Sequence, residues 1–273
     1  MTTENPLFQP FSLGSLSLKN RIVMAPMTRS RADKDDAPSK ITALYYGQRA
    51  GAGLIITEGV YPNIDGKGYV RTPGIVTDKQ ISGWKSVVDA VHDKGGKIVM
   101  QIMHCGRIAS YHNKAMNART LAPSAIRANG EIYSDISGMV PMDIPEEMTL
   151  VEIKQTIKDY IKSAKNALAD GFDGVELHCT SGYLPAQFLS TGTNHRQDIY
   201  GGSLSNRLRF TTEVLEGLIK TIGAGRVGLR ICPGNPFNDL KDCNPEETFR
   251  ELIAQANMLK VGYLHVIRMK AGV

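Results

Sequence analysis

Short apolar runs bounded by glycine or polar residues recur along the 273-residue chain. Runs of this length, rich in branched apolar side chains, are typical of strands that are buried on both faces of a parallel sheet. The pattern predicts six such strands, at residues 21–25, 54–58, 98–103, 174–178, 227–231 and 263–267.

Apolar residues at helical spacing separate most of the predicted strands. Thr149 and Glu152 form a capping box at the start of one such stretch, and Asn244 precedes a proline and two acids at the start of another. Residues 80–93 and 206–222 are amphipathic as well. The alternation of strand and helix predicts an α/β fold with a parallel sheet. Neither GxGxxG after the first strand nor GxxxxGK[ST] occurs, so a TIM-type barrel is favoured over a Rossmann sheet.

One long interval, residues 105–148, lacks a clean period and contains several glycines and prolines. Long irregular segments inside a domain are usually functional. We therefore expect an inserted loop that covers the barrel opening, and we expect residues 1–273 to form a single domain.

Composition and charge argue against a nucleic-acid-binding, a membrane-inserted or a secreted protein. The formal charge of +5 is spread among acids, without the basic runs of a nucleic-acid surface. No apolar run approaches 18 residues and the first residues have no signal-peptide pattern, so neither membrane insertion nor secretion is expected. The four cysteines have no CxxC spacing, which favours reduced thiols and a cytoplasmic protein.

Polar side chains lie within or just after several predicted strands, namely Thr28, Gln101, His104, His178 and Arg230. In a barrel the carboxyl ends of the strands share one opening, where the active site is built. A cation, an amide and a hydroxyl around an apolar slot suit a planar heterocycle that becomes negatively charged, and a flavin is such a ring.

Structural roles also account for some of these residues. Arg230 could simply pair with Glu176 inside the barrel. The DIYGG segment that begins at Asp198 has the composition of a turn, in which Arg196 or Arg207 would pair with the aspartate.

The sequence resembles the old yellow enzyme family of FMN-dependent ene-reductases, which includes N-ethylmaleimide reductase-like proteins. The resemblance runs from Leu7 to about Ile267. It is carried by NRIVMAPMTRSRA (20–32), TPGIVTDKQISGW (72–84), QIMHCGR (101–107), LAPSAI (121–126), GFDGVELH (171–178) and NHRQDIYGGSLSNRLRF (194–210).

This resemblance implies non-covalently bound FMN, with NADPH or NADH as the reductant. The Thr28 hydroxyl would lie near the ring oxygen O4, and Gln101 and Arg230 would bind the pyrimidine edge. Arg230 would stabilise the reduced, anionic ring. The implied flavin contacts are Ala25, Pro26, Met27, Thr28, Gly59, Gln101 and Arg230.

The implied activity is that of an NAD(P)H:flavin oxidoreductase that reduces the C=C bond of a small-molecule enone. His178 would hold the substrate carbonyl, and Tyr183 would protonate the substrate carbon. Ser181 stands where the family usually has Asn or His, so the clamp on the carbonyl is expected to be weaker. A homo-oligomer stays open as the assembly state.

The resemblance also implies eight β/α units, of which this chain carries six before it stops just past the sixth predicted strand. A truncated, non-catalytic paralogue that acts as a binding protein is therefore an alternative to the enzyme. A metal-dependent lyase built on His104, Glu176 and His178 is a further one, because alternation along a strand puts residues 176 and 178 on one side.

Overall fold

A computed structural model describes residues 5–268, which form twelve strands and six α-helices. In chain order these are β1 (Phe11–Leu13), β2 (Leu16–Leu18), β3 (Val23–Met24), α1 (Lys40–Gly47), β4 (Leu54–Val60), α2 (Asp78–His92), β5 (Ile98–Ile102), β6 (Leu121–Ala122), β7 (Glu131–Ser134), β8 (Gly138–Pro141), β9 (Glu146–Glu147), α3 (Leu150–Ala169), β10 (Gly174–His178), α4 (Leu184–Leu189), α5 (Leu204–Ile222), β11 (Val227–Ile231), α6 (Pro245–Met258) and β12 (Tyr263–Val266).

Six strands form one parallel sheet in the order β3, β4, β5, β10, β11 and β12. Each of them lies at a predicted strand. The first is shorter than expected, because only Val23 and Met24 pair with β4. The sheet is curled, since the two edge strands β3 and β12 line the same cavity of about 280 Å³. The prediction of an α/β fold with a parallel sheet is confirmed.

Alternate residues of the strands face two different cores. Val175 and Leu177 of β10 point outward into the main core beneath the helices. Residues of opposite parity point into the barrel, where Leu54, Ile56 and Val99 form an apolar floor. The hairpin β1–β2 closes this floor with Leu16 and Leu18.

The four long helices begin close to the predicted positions. At α3 the Thr149 hydroxyl accepts from the Glu152 amide at 3.2 Å, and the Glu152 carboxylate accepts from the Thr149 amide at 2.7 Å. The pattern missed α1 and α4. All six residues of α4 are buried, so this short helix has no polar face that would show a helical period.

The segment 105–148 is partly ordered into strands. β7 and β8 form an antiparallel hairpin, and β6 pairs with β9. Ile108, Ile132 and Met142 of this segment pack in one cluster with Met103 and Tyr183. The segment therefore contacts the loop that follows β10.

Two further findings concern membrane-spanning helices and the cysteine thiols. Within residues 5–268, no helix is both long and apolar enough to cross a membrane. Cys105, Cys179 and Cys232 are free and buried, and Cys243 is free and exposed.

The capping box of α3 can be tested by substitution. The Thr149 hydroxyl accepts from the Glu152 amide and donates to the Glu152 carboxylate. Thr149→Ala removes both contacts, and we expect it to lower the free energy of unfolding by about 1 kcal/mol. Urea denaturation followed by circular dichroism measures this loss. Thr149→Ser keeps the hydroxyl and is the matched control; an equal loss in both variants would show that the cap contributes nothing.

Candidate active site

The centre of the candidate site lies where β10 and β11 end. Their parallel register places His178 beside Arg230. His178 Nδ1 and Arg230 Nε are buried and have no hydrogen-bond partner among residues 5–268. Since buried polar groups normally have partners, these two nitrogens mark a position suited to a polar ligand.

The loop after β10 places Tyr183 against this pair. The Leu184 amide donates to the His104 carbonyl at 3.0 Å, which ties the loop to the end of β5. The Tyr183 ring meets the His178 ring edge-on, with 4.9 Å between centroids. Its hydroxyl lies 3.0 Å from the hydroxyl of Tyr69. Two phenols and an imidazole thus share one partly enclosed space.

Burial sets the protonation of these groups. Burial, with a smaller contribution from the Arg230 charge, lowers the pKa of His178 well below its ordinary value. Burial likewise raises the pKa of Tyr183 well above its usual range, and that of Tyr69 to about 12. At neutral pH the site therefore offers a neutral imidazole and two protonated phenols.

Ser181 adopts a conformation that serine rarely takes. Its φ is +58°, and the next residue, Gly182, has a φ of +74°. The Ser181 carbonyl accepts from Asn238 Nδ2 at 2.8 Å. Asparagine tolerates this left-handed region better than serine does, so the backbone here favours Asn at position 181.

A polar layer lies deeper in the barrel. Gln101 Nε2 donates to Glu176 Oε1 at 2.8 Å, and His265 Nδ1 lies 3.1 Å from Glu176 Oε2. Glu176 is fully buried. The alternative in which Arg230 pairs directly with Glu176 is not what the structure shows, because the hydrogen bonds of this carboxylate go to Gln101 and His265. Burial lowers the pKa of Arg230, and the nearby charge of Glu176 only opposes this shift.

Gly59 lies beside Gln101 in the sheet register. A Cβ atom at Gly59 would come within 2.5 Å of Met103 Cε, so a side chain there would require the methionine to move. Glycine at this position therefore lets Met103 pack directly against the backbone.

The predicted segment from Ala25 to Thr28 follows β3 at the edge of the sheet. Ala25 lines the same cavity as His265, Met27 is 44% exposed, and Thr28 is exposed as well. Pro26 is half-buried. The structure thus gathers Gly59, Gln101, His178, Tyr183 and Arg230, and leaves residues 25–28 on an accessible rim.

Glu58 is hydrogen-bonded to the turn that follows residues 25–28. Its Oε2 accepts from the Arg29 amide at 3.1 Å, and its backbone amide donates to the Tyr46 hydroxyl at 2.8 Å. The carboxyl is 2% exposed, and burial raises its pKa to about 7.

Sequence reasoning missed four residues of this region, namely Glu58, Tyr69, Asn238 and His265. Tyr69 and Asn238 lie in loops, where no period marks them. His265 did carry a signal, since strand alternation turns it toward the barrel interior together with Tyr263.

The segment around Asp198 is structural. Asp198 accepts from Arg196 Nε at 3.1 Å and its carbonyl accepts from the Gly201 amide, as expected for a turn. Arg207 instead donates to the carbonyls of Leu189 and Gly202. Of the two predicted partners, only Arg196 pairs with Asp198.

The structure does not support a metal centre at the predicted residues. In the described part of the chain, no three His, Cys, Asp or Glu side chains are arranged to hold a metal ion. His104 instead accepts from the Gly106 amide through Nδ1, and burial lowers its pKa to about 3.

Known proteins are similar to this chain in both sequence and fold. Relatives include a probable flavin mononucleotide-dependent alkene reductase from Leishmania infantum, 41% identical over 96% of this chain and 73% of the relative, and a putative 12-oxophytodienoate reductase from Oryza sativa subsp. japonica, 38% identical over 98% and 69%. Morphinone reductase in complex with tetrahydroNAD superimposes with a TM-score of 0.92, at 43% identity over 96% of this chain and 73% of that one. The old yellow enzyme homologue from Zymomonas mobilis gives 0.93, at 39% identity over 97% and 74%.

These relatives define a flavin-dependent oxidoreductase with a TIM-barrel fold. Residues 6–271 match the NADH:flavin oxidoreductase / NADH oxidase family, and the chain belongs to this family, which includes the old yellow enzyme homologues. The predictions of the family, and of FMN with a nicotinamide reductant as its cofactors, are confirmed.

The raised pKa of Glu58 predicts how stability changes with pH. The folded carboxyl binds a proton up to about pH 7, whereas its ordinary pKa is 4.5, so stability falls as pH rises through this window. Glu58→Gln removes this loss. Between pH 4 and pH 8 the free energy of unfolding of the wild type should therefore fall by roughly 3 kcal/mol relative to that of the variant. Chemical denaturation at several pH values measures both curves, and parallel curves would contradict the prediction.

Proposed function

We propose that this protein is an FMN-dependent oxidoreductase that uses NADPH or NADH to reduce the C=C bond of α,β-unsaturated carbonyl compounds. One observation carries the proposal: His178 and Arg230, on neighbouring strands, each have an unpartnered buried nitrogen next to the protonated phenol of Tyr183. The family to which the chain belongs makes this a flavin site.

The residues present fit the cofactor. Arg230 would face the pyrimidine edge of the ring with its cation, and Gln101 would contribute a polar atom to the same edge. Gly59 would meet the ring with its backbone alone, and the position that a side chain would take there is filled by Met103. Residues 25–28, with the Thr28 hydroxyl, would border it from the rim. The chemistry that FMN would supply when bound is hydride transfer, from the nicotinamide to the β-carbon of the substrate.

The protein side chains would then act on the substrate itself. The neutral imidazole of His178 would donate a hydrogen bond to the carbonyl oxygen, which draws electrons from the β-carbon. Tyr183 would deliver a proton to the α-carbon, so that one hydride and one proton add across the double bond. Tyr69, 3.0 Å away, would stabilise the phenolate that is left until it is protonated again.

The segment 105–148 would cover the opening. Its apolar residues pack with Tyr183 in one cluster, so the segment can limit the access of water to the phenol.

The described strands would be the first six of an eight-unit barrel. β3 and β12 each pair on one side only within residues 5–268, and both border the cavity of about 280 Å³. Free cysteines fit a cytoplasmic location, which belongs to the same proposal.

A non-catalytic binding protein is the second candidate. Ser181 in place of the usual Asn or His favours it. A purified protein that is colourless and stays colourless after incubation with FMN would support this candidate and overturn the enzyme.

The role of Tyr183 separates the two halves of the proposed reaction. Tyr183→Phe keeps the ring and removes the proton donor, so reduction of the bound flavin by NADPH should be unchanged. Reoxidation by a cyclic enone should slow by about 10²–10⁴-fold. Anaerobic stopped-flow absorbance follows both halves.

Tyr69→Phe is the matched control for this experiment. It removes the hydroxyl that contacts the Tyr183 phenol. Because the proposal gives Tyr69 no proton to deliver to the substrate, its effect on reoxidation should be much smaller, about tenfold. Equal slowing of both half-reactions in Tyr183→Phe would refute its assignment as the proton donor.

Ser181→Asn should strengthen the hydrogen bonding to the substrate carbonyl. Asparagine suits the local φ of +58° and reaches further than serine with an N–H donor. We expect turnover of simple cyclic enones to rise by about tenfold or more, since loss of such a donor typically costs 10²–10³-fold. Steady-state kinetics measure the change. Ser181→Ala is the control, and an unchanged or lower rate in Ser181→Asn would contradict the role.

A further inference from the structure

The polar layer inside the barrel contains a group that the proposed reaction does not use. Glu176 is fully buried, and its two oxygens make separate contacts, one with Gln101 and one with His265. A buried carboxylate is costly unless it is paired and hydrogen-bonded, so its place beside a predicted ligand-binding amide needs an explanation.

The contact determines which way the Gln101 amide faces. An ionised carboxylate only accepts hydrogen bonds, so the amide nitrogen of Gln101, not its oxygen, must face Glu176. The sheet register, which sets residue 101 beside residue 176, fixes the backbone positions of both. The oxygen Oε1 of Gln101 lies in the same amide plane and thereby points away from Glu176.

The other end of the carboxylate is held as well. His265 Nδ1 lies 3.1 Å from Glu176 Oε2, and with a proton on this nitrogen it would donate a hydrogen bond to the carboxylate. The cation of Arg230 interacts with the same carboxylate electrostatically. Because both sides of the carboxylate are engaged, Glu176 cannot turn away from Gln101 without losing a second contact.

We propose that Glu176 is a positioning residue, which turns the Gln101 amide so that it presents an acceptor to the bound ring. The site then selects a heterocycle that carries an N–H at this edge, as the imide of a flavin does, next to the carbonyl that Arg230 would contact. This inference rests on the proposed function, because it requires the ring to lie at Gln101 and Arg230.

A double-mutant cycle tests the proposal by flavin binding, without turnover. The dissociation constant of FMN is measured by quenching of flavin fluorescence for the wild-type apoprotein, Glu176→Met, Gln101→Met and the double variant. Glu176→Met should weaken binding about tenfold when Gln101 is present, as for one lost hydrogen bond in a buried site. In the Gln101→Met background the same change should weaken binding by less than about twofold.

Glu176→Gln is the conservative variant, and it separates orientation from charge. Its amide oxygen can still accept from Gln101 Nε2, so FMN binding should stay within about threefold of the wild type. Glu58→Gln is the matched control, since it replaces a carboxylate that is also buried but contacts Arg29 and Tyr46 instead. It should leave the coupling between positions 176 and 101 unchanged.

The outcomes distinguish a failure of this inference from a failure of the proposed function. Equal weakening by Glu176→Met in both backgrounds, or a loss in Glu176→Gln as large as in Glu176→Met, would overturn the positioning role while leaving flavin binding intact. Failure of the wild-type protein to bind FMN would overturn the proposed function and this inference with it.

Discussion

A buried carboxylate, Glu176, constrains the interior of this barrel. It is completely screened from solvent, so its charge has to be balanced by neighbours within the fold. Gln101 comes from β5 and Arg230 from β11, the strands on either side of β10, and His265 comes from β12, the next strand beyond β11. The register of the parallel sheet is therefore also what satisfies the buried charge. A shift of one residue in either neighbouring strand would turn these partners out of the barrel.

The same register arranges the barrel interior in layers. The floor is apolar, with Leu54, Ile56 and Val99. Above it lies the polar layer around Glu176, and at the carboxyl ends of the strands lie His178 and Arg230. A flat ring placed at this level would have an apolar floor beneath the site and hydrogen-bonding groups at its edge, which is the environment in which fixed dipoles stabilise developing charge most strongly.

Burial, more than any neighbouring charge, sets the protonation of the site. It lowers the pKa of His178 and raises those of Tyr183 and Tyr69, so all three are neutral donors near pH 7. The same effect at Glu58 produces a carboxyl whose pKa is about 7. A neutral imidazole and a protonated phenol are the states that the proposed chemistry needs, and the fold supplies both by excluding water.

The local sequence pattern alone determined the strands of the parallel sheet and several residues of the candidate site. The apolar runs predicted all six strands of the parallel sheet, because strands buried on both faces must be apolar throughout. Strand ends predicted that His178, Arg230 and Gln101 would converge, since parallel strands share one carboxyl edge. Only the tertiary structure decided the remaining features: the buried helix α4, the contact of Tyr69 with Tyr183 across 114 positions, and the orientation of Gln101 by a glutamate 75 positions away. Periodicity reports which face of an element is buried, whereas these features depend on which distant side chain meets that face, and no local pattern carries that information.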